Sequence, residues 1–232
     1  MSLRSVNQSL PINNLLENFF TQKTPKLYLK NQAVEVDQVG TKQVWWIKSG
    51  YLRSYSTWQN GSILTLNYFR PNALLPLYHL FDLRNPQIFY ETVSKARLLV
   101  APTTELIEYL TQYPTVYSEL TRRVVKGVTT LAMRANFLLQ ETAAQKVALS
   151  LLLLNKQFGP SYRPGEYIHL PLTHQNIAEY SGVTRETTSI IIKELEKTKL
   201  ILKRARNYQI CHENELVSAY DLEDWEESLL VR

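Results

Sequence analysis

Runs of β-forming residues occupy the first half of the chain, and turn residues interrupt them at short intervals. Residues 27–66 are rich in Val, Tyr, Trp, Ile and Thr and are broken at Gly40, Ser49-Gly50 and Asn60-Gly61. This pattern predicts β-hairpins around the Ser-Gly and Asn-Gly turns, because Asn-Gly is a strong hairpin signal. Residues 90–100 predict a further strand. Several short strands at this spacing indicate a small β-barrel or sandwich rather than a parallel sheet.

A long helix is predicted over residues 114–142, where Pro and Gly become rare. Apolar residues along it follow spacings of 4, 3, 4 and 3, which is the heptad pattern of a coiled-coil seam. We therefore expect this helix to form a dimer, and the alternative is that it packs its apolar stripe on its own domain. The expected seam residues are Val124, Val128, Leu131, Ala135 and Leu138.

A second helix is predicted over residues 143–157, because Gly159-Pro160 forms a stop signal shortly after it. A loop at residues 161–165 and a short strand at residues 167–170 are expected next.

Two short helices joined by a tight turn are predicted beyond this strand. Thr173 can cap the first helix, and Ala178 leaves room for another helix to cross it closely. Gly182 suits a turn with positive φ, and Thr184 can cap a second helix over residues 185–197. The arrangement forms a helix-turn-helix, although any compact corner of two helices would share these features.

The second of these helices has a buried face and an outward face that suits DNA. The helical wheel places Thr188, Ile191, Ile192 and Leu195 together on one face, which we expect to be buried. A different set of residues lies on the opposite face. In a major groove, arginine can bind guanine, glutamate can accept a hydrogen bond from cytosine, and an apolar side chain can contact the thymine methyl group. The outward residues expected to read bases are Arg185, Glu186, Ser189 and Ile190.

A basic hairpin, or wing, is predicted from strands at residues 200–203 and 208–211. Its tip carries Lys203, Arg204 and Arg206, which suit phosphate contacts. A solvated basic turn is the alternative.

The formal net charge of +5 conceals an uneven distribution along the chain. It is +6 over residues 1–142, +5 over residues 143–212 and −6 over residues 213–232. A basic segment of this length suits a polyanion such as DNA, although a solvated surface gives the same count. The acidic tail predicts an amphipathic helix through Leu222, Trp225 and Leu229, which either packs back onto the protein or docks a partner such as RNA polymerase.

Several classes of protein are excluded by what the sequence lacks. A single cysteine, Cys211, cannot build a disulfide framework or a four-thiolate iron–sulfur centre, and it fits a reducing, cytoplasmic setting. Every apolar run is far shorter than the roughly 20 residues of a membrane helix, so no membrane partner is expected. Without a phosphate loop, a metal-spaced His or Cys set, or a nucleophile motif, we expect no enzyme, no metal and no cofactor.

Residues 172–178 (LTHQNIA), 182–188 (GVTRETT) and 193–196 (KELE) resemble the Crp/Fnr superfamily of bacterial transcription regulators. The resemblance implies an α+β fold in three parts: a cyclic-nucleotide-binding-like β-roll, a long dimerisation helix and a C-terminal winged helix-turn-helix. It also implies a homodimer that binds double-stranded DNA at a two-fold symmetric operator. The corresponding boundaries are residues 1–113, 114–142 and 143–212, followed by the acidic tail at residues 213–232.

The resemblance also implies roles for individual residues. Arg185 and Glu186 read bases, whereas Thr173 and Gln175 contact phosphate. The cyclic-AMP receptor protein has a second base-reading arginine five positions after the first, where this chain has Ile190, so the half-site should differ. The full set expected to contact phosphate is Thr173, Gln175, Thr184, Lys193, Lys203, Arg204 and Arg206.

The N-terminal half departs from relatives that bind cyclic nucleotides. Those carry a Gly-Glu pair and an Arg followed by Ser or Thr, and residues 70–76 and 89–93 have neither pair. We therefore expect that the effector is not cyclic AMP, and that the β-roll senses another small molecule or serves as a scaffold. His79 stands alone, and a lone histidine is more typical of a structural residue than of a haem ligand. The alternative overall is a ligand-binding β-roll protein whose helical end binds protein rather than DNA.

Overall fold

The computed structural model describes residues 12–35, 37–38, 41–83, 87–140, 142–159 and 167–222. The chain forms two compact units. The first comprises the described residues of Met1–Leu52 and Phe69–Lys126, and the second those of Arg53–Tyr68 and Gly127–Arg232.

Strands dominate the first unit, and helices dominate the second. The strands are β1 (Pro25–Tyr28), β2 (Asp37–Gln38), β3 (Thr41–Ser49), β4 (Leu52–Thr57), β5 (Ile63–Phe69), β6 (Leu74–Leu75), β7 (Phe89–Thr92), β8 (Ala96–Pro102), β9 (Ile201–Arg204) and β10 (Asn207–Ile210). The helices are α1 (Ile12–Phe20), α2 (Thr103–Thr111), α3 (Thr115–Gln140), α4 (Ala143–Phe158), α5 (His174–Ser181), α6 (Arg185–Lys197) and α7 (Glu213–Ala219), with a 3₁₀ helix at Leu77–Phe81. The predicted α+β fold is confirmed.

An antiparallel sheet with the order β1-β8-β3-β2 organises the first unit, and β6 also pairs with β3. Successive side chains of a strand point to opposite faces, so the adjacent Trp45 and Trp46 enter two different apolar clusters. Trp46 stacks on Phe20 of α1, with 5.8 Å between ring centroids. The sheet is therefore buried on both faces at its centre.

Two of the strand predictions are wrong. The Ser49-Gly50 turn does not close a hairpin, because β3 uses its edges to pair with β8 on one side and with β2 and β6 on the other, whereas β4 pairs with β5. Gly50 has a φ of 88°, and a Cβ placed there would lie 2.4 Å from Lys95 O, so the chain passes itself too closely for a side chain. Residues 90–100 form not one strand but parts of two, β7 and β8, which a bend separates.

The second unit contains the predicted hairpin at Asn60-Gly61, which joins β4 to β5. Trp58 N donates to Ser62 O across the turn at 3.0 Å, and Gly61 has a φ of 80°. This prediction is confirmed.

The remaining part of the second unit is built around α4. Thr142 and Gln145 form a capping box at its start, and every side chain from Val147 to Leu154 is buried. Helices α5, α6 and α7 and strand β10 all contact it. Within the described part of the chain, no helix is both long and apolar enough to cross a membrane.

The strand predicted at residues 167–170 is also wrong. Ile168 N donates to Tyr208 O at 2.7 Å and Leu172 N donates to Arg206 O at 2.8 Å, so this segment runs beside β10 without a regular ladder. Pro171 has no N–H to donate and restricts the backbone before it, which explains the interruption.

Two buried arginines that the sequence analysis missed join elements of the second unit. Arg134 of α3 is 5% exposed, and it donates to Leu66 O (2.5 Å), Thr65 O (3.1 Å) and Tyr180 O (2.6 Å). Arg53 of β4 pairs with Glu179 of α5, and the two side chains are only 9% and 10% exposed. The β4–β5 hairpin, α3 and α5 are therefore linked by charged groups with satisfied hydrogen bonds.

The acidic tail begins with α7. Leu216 and Leu222 are buried, and Gln145 of α4 donates to Tyr220 O at 3.1 Å. The rest of the predicted tail helix, with Trp225 and Leu229, lies outside the described residues.

Candidate DNA-binding surface

Local capping signals fix both helices of the helix-turn-helix. Thr173 Oγ1 accepts from Asn176 N at 3.1 Å, and the Asn176 side chain accepts from Thr173 N at 3.0 Å. Gly182 adopts the left-handed conformation with φ 64° between the helices. Thr184 Oγ1 accepts from Thr187 N at 3.2 Å, and α6 begins at the next residue. The predicted motif is confirmed.

The two faces of α6 are those that the helical wheel predicts. Thr188, Ile191, Ile192 and Leu195 are buried. Arg185, Glu186 and Lys193 are exposed, and Ile190 is 67% exposed. An isoleucine held in solvent on the same face as an arginine and a glutamate gives this helix the chemical groups that read base edges.

Three hydroxyl groups expected to contact DNA already have partners within the domain. Thr173 and Thr184 cap their own helices. Ser189 Oγ donates to Arg185 O at 2.8 Å and lies 2.7 Å from His174 Nδ1. Any contact of these groups with DNA would therefore add to the bonds they already make.

The predicted wing is the antiparallel pair β9–β10. Lys203 lies opposite Tyr208, and Arg204 lies opposite Asn207. Lys203, Arg204 and Arg206 are exposed at or beside the turn, in which Ala205 has a φ of 57°. Three cationic side chains are thus displayed on one short hairpin.

A cleft of about 410 Å³ lies where α5, α6 and the wing meet. It brings together five residues predicted to contact DNA, from three separate stretches of the sequence: the start of α5, the start of α6 and the wing. Thr184, Lys193 and Arg204 are exposed but lie outside its lining. The cleft is lined by Leu172, Thr173, His174, Gln175, Arg185, Lys203, Ala205, Arg206 and Tyr208.

His174, which the sequence analysis did not single out, links the wing to α6. Its Nε2 lies 2.7 Å from Lys203 Nζ, and its Nδ1 lies 2.7 Å from Ser189 Oγ. Because Lys203 can only donate, Nε2 must accept, and Nδ1 carries the proton of a neutral imidazole. Burial lowers the pKa of His174, as do the cations of Lys203, Arg185 and Lys193, whereas Glu196 acts in the opposite direction.

Gln175 is exposed at the mouth of the same region. Its Nε2 donates to Glu179 Oε1 at 2.8 Å, and the other carboxylate oxygen of Glu179 pairs with Arg53. The buried Arg53–Glu179 ion pair therefore orients the exposed side-chain amide of Gln175 next to the cleft.

The predicted seam of α3 lies largely in solvent. Leu131 is 48% exposed, Val128 and Ala135 are exposed, and Val124 is half-buried. Leu138 is half-buried within its own chain, with its Cδ2 3.2 Å from where a Cβ on Gly182 would lie. Its neighbour Leu139 is 83% exposed. A long helix whose apolar stripe is exposed at Val128, Leu131 and Ala135 is typical of an interface.

No cluster of three or more His, Cys, Asp or Glu side chains among the described residues could hold a metal ion. His79 is buried, and its Nδ1 lies 2.7 Å from Gln43 O, as expected of a structural histidine.

Comparison with known proteins connects this surface to a family. A family profile described as a Crp-like helix-turn-helix domain matches residues 145–219. The global nitrogen regulator of Nostoc sp. is 23% identical over 205 residues, which cover 84% of this chain and 90% of that protein. The HTH-type transcriptional regulator ArcR of Staphylococcus epidermidis is 25% identical over 204 residues, covering 87% and 88%.

Solved structures share the fold. FixK2 from Bradyrhizobium japonicum matches with a TM-score of 0.70 at 18% identity, covering 84% of this chain and 96% of that one. A CooA mutant from Carboxydothermus hydrogenoformans matches with a TM-score of 0.72 at 16% identity, covering 88% and 90%.

Proposed function

Because the chain is a Crp/Fnr-type transcription regulator with a helix-turn-helix DNA-binding domain, we propose that it binds a two-fold symmetric operator as a homodimer and reads each half-site with α6. The observation that carries this proposal is the outward face of α6, where Arg185 and Glu186 stand beside the exposed Ile190. These groups match guanine, cytosine and the thymine methyl group. The named relatives are likewise regulators rather than enzymes.

The phosphate contacts proposed for the domain lie around α6. Thr173, Gln175, Lys203 and Arg206 line the cleft, while Thr184, Lys193 and Arg204 are exposed outside its lining. Contacts of this kind position a protein on duplex DNA without reading its sequence.

The dimer is proposed to form through the exposed stripe of α3. A two-fold interface uses the same patch on both chains, and a self-complementary row of Val128, Leu131 and Ala135 meets that requirement. Two copies of α6 would then face successive major grooves, about one helical turn apart.

Cyclic AMP is not proposed as the effector, because residues 70–76 and 89–93 lack the charged pairs that would hold its ribose and phosphate. The burial of Leu216 and Leu222 supports packing of the acidic tail on its own domain, in preference to docking of RNA polymerase by these residues.

Arg185→Ala and Arg206→Ala are expected to impair DNA binding in different ways. Arg185→Ala removes a bidentate contact with guanine. It should weaken the free energy of specific binding by about 1–3 kcal/mol and that of non-specific binding by much less. Arg206→Ala should weaken binding to all sequences alike and reduce the salt slope by about one phosphate equivalent. Fluorescence anisotropy with specific and scrambled duplexes, at several salt concentrations, measures both effects.

Equal losses on both duplexes for Arg185→Ala would contradict base reading by that residue. Duplex binding that does not depend on salt, or no duplex binding at all, would instead favour a β-roll protein whose helical end binds another protein.

A further inference from the structure

We propose that His174 takes up a proton when a DNA phosphate enters the cleft between α5 and the wing, and that the protonated ring then binds this phosphate together with Lys203. The proposal rests on the proposed function, since it concerns the same surface and adds a ligand and a pH dependence to it. The contact is with the sugar-phosphate backbone of DNA, so it requires no particular base sequence.

The lining of the cleft is suited to an anion. Arg185, Lys203 and Arg206 contribute three cations from α6 and the two sides of the wing turn, and none of the described residues lining the cleft is acidic. Tyr208, whose buried hydroxyl has no hydrogen-bond partner among the described residues, lines it as well. A phosphate group could satisfy several donors here at once.

In the free protein the geometry requires a neutral His174. Lys203 Nζ lies 2.7 Å from Nε2, and a proton on that nitrogen would place two donors and two positive charges against each other. The charged groups facing the ring are Lys203 from β9 and Arg185, Lys193 and Glu196 from α6, of which only Glu196 favours protonation. Burial opposes protonation further.

A bound phosphate reverses this balance. Its oxygens can accept from Lys203 Nζ, which frees Nε2 to take a proton from solvent and donate to the same phosphate. His174 Nδ1 keeps its proton and its hydrogen bond to Ser189 Oγ. Neither Lys203 nor Ser189 therefore changes its protonation state. A negative charge within about 4–6 Å favours the charged imidazole, so the pKa of His174 is higher in the complex than in the free protein.

The sign of the pH dependence follows from linkage. A group whose pKa rises on binding makes the complex stronger as the pH falls through the pKa of the bound state. The gain levels off below the pKa of the free state, which lies under the ordinary histidine value of about 6.5. Affinity for DNA should therefore increase on mild acidification, over the range in which histidine titrates.

The test is the dissociation constant of the full chain for a mixed-sequence duplex of about 30 base pairs, measured between about pH 8 and pH 5.5 at constant ionic strength. The wild-type Kd is expected to fall by at least about fivefold, whereas His174→Gln should stay within about twofold because its amide does not titrate. Thermal unfolding of both proteins serves as the control for folding.

A second variant and a second readout make the test specific. Lys203→Gln removes the nearest cation, so the pKa of His174 in the free protein should rise, and the ¹H–¹³C NMR signal of the ring reports this directly. The same signal should titrate at higher pH in the wild-type complex than in the free wild type.

Three results would overturn the proposal: a flat wild-type profile, a Kd that rises on acidification, or an equal pH response in His174→Gln. In each of these cases, salt-dependent binding of duplex DNA at about pH 8 would still support the proposed function. Absence of DNA binding at every pH would overturn the proposed function and this proposal together.

Discussion

Leu131→Glu is expected to convert the protein into monomers and to remove operator binding at the same protein concentrations. Leu131 is 48% exposed in the single chain, so the glutamate is tolerated there in the monomer. In a two-fold seam it would bury two unpaired carboxylates facing each other, and the penalty is several kcal/mol for each ion. Sedimentation velocity measures the oligomeric state, and anisotropy measures binding.

Asn136→Glu is the matched control on the same helix. Asn136 is exposed and lies roughly 140° around the helix from Leu131, away from the middle of the stripe. It adds the same charge and should leave the dimer intact. If Leu131→Glu still forms a dimer and binds DNA normally, the dimer interface does not lie along α3.

Arg134→Met is expected to give the largest loss of stability among substitutions in α3. The thioether keeps much of the apolar volume but leaves the carbonyl oxygens of Thr65, Leu66 and Tyr180 without the donors they have now. Hydrogen bonds to charged groups contribute about 1.5–3 kcal/mol each, so we expect a loss of about 3–5 kcal/mol after partial relaxation. Chemical denaturation followed by circular dichroism measures it.

Arg122→Met provides the comparison, because Arg122 lies on the same helix in an exposed pair with Glu119. Exposed pairs contribute little, so the unfolding midpoint should not change measurably. Equal effects of the two substitutions would show that Arg134 does not hold the β4–β5 hairpin and α5 in place.

The starts of both helices of the helix-turn-helix could be predicted to the residue because they depend on local chemistry, and the end of α5 lies one residue beyond its predicted end, at Ser181. Thr173, Gly182 and Thr184 act on backbone groups within four positions of themselves, and the sequence shows them directly. The wing strands were predicted to within about one residue for the same reason. The apolar stripe along α3 could be predicted, although sequence spacing did not separate the half-buried Leu138 from the exposed Leu139.

The features that the sequence did not reveal depend on distant partners. Arg53 is 126 positions from Glu179, and Arg134 is 46 positions from Tyr180, so each arginine resembled an ordinary surface residue. The false hairpin at Ser49-Gly50 arose because the half of β3 nearest this turn pairs with β8 and β6, two strands remote in the sequence. His174 was overlooked because its partner Lys203 lies 29 positions away.

Selection of bound duplexes from a random-sequence pool tests the central claim most directly, because all candidate operators compete for the protein in one experiment. A homodimer that reads DNA with α6 predicts enrichment of an inverted repeat, with half-site centres about one helical turn, roughly 10–10.5 base pairs, apart. The wild type should bind the repeat more tightly than a scrambled duplex by several kcal/mol. Enrichment of no sequence, or of a single unrepeated site bound by one chain, would contradict the claim.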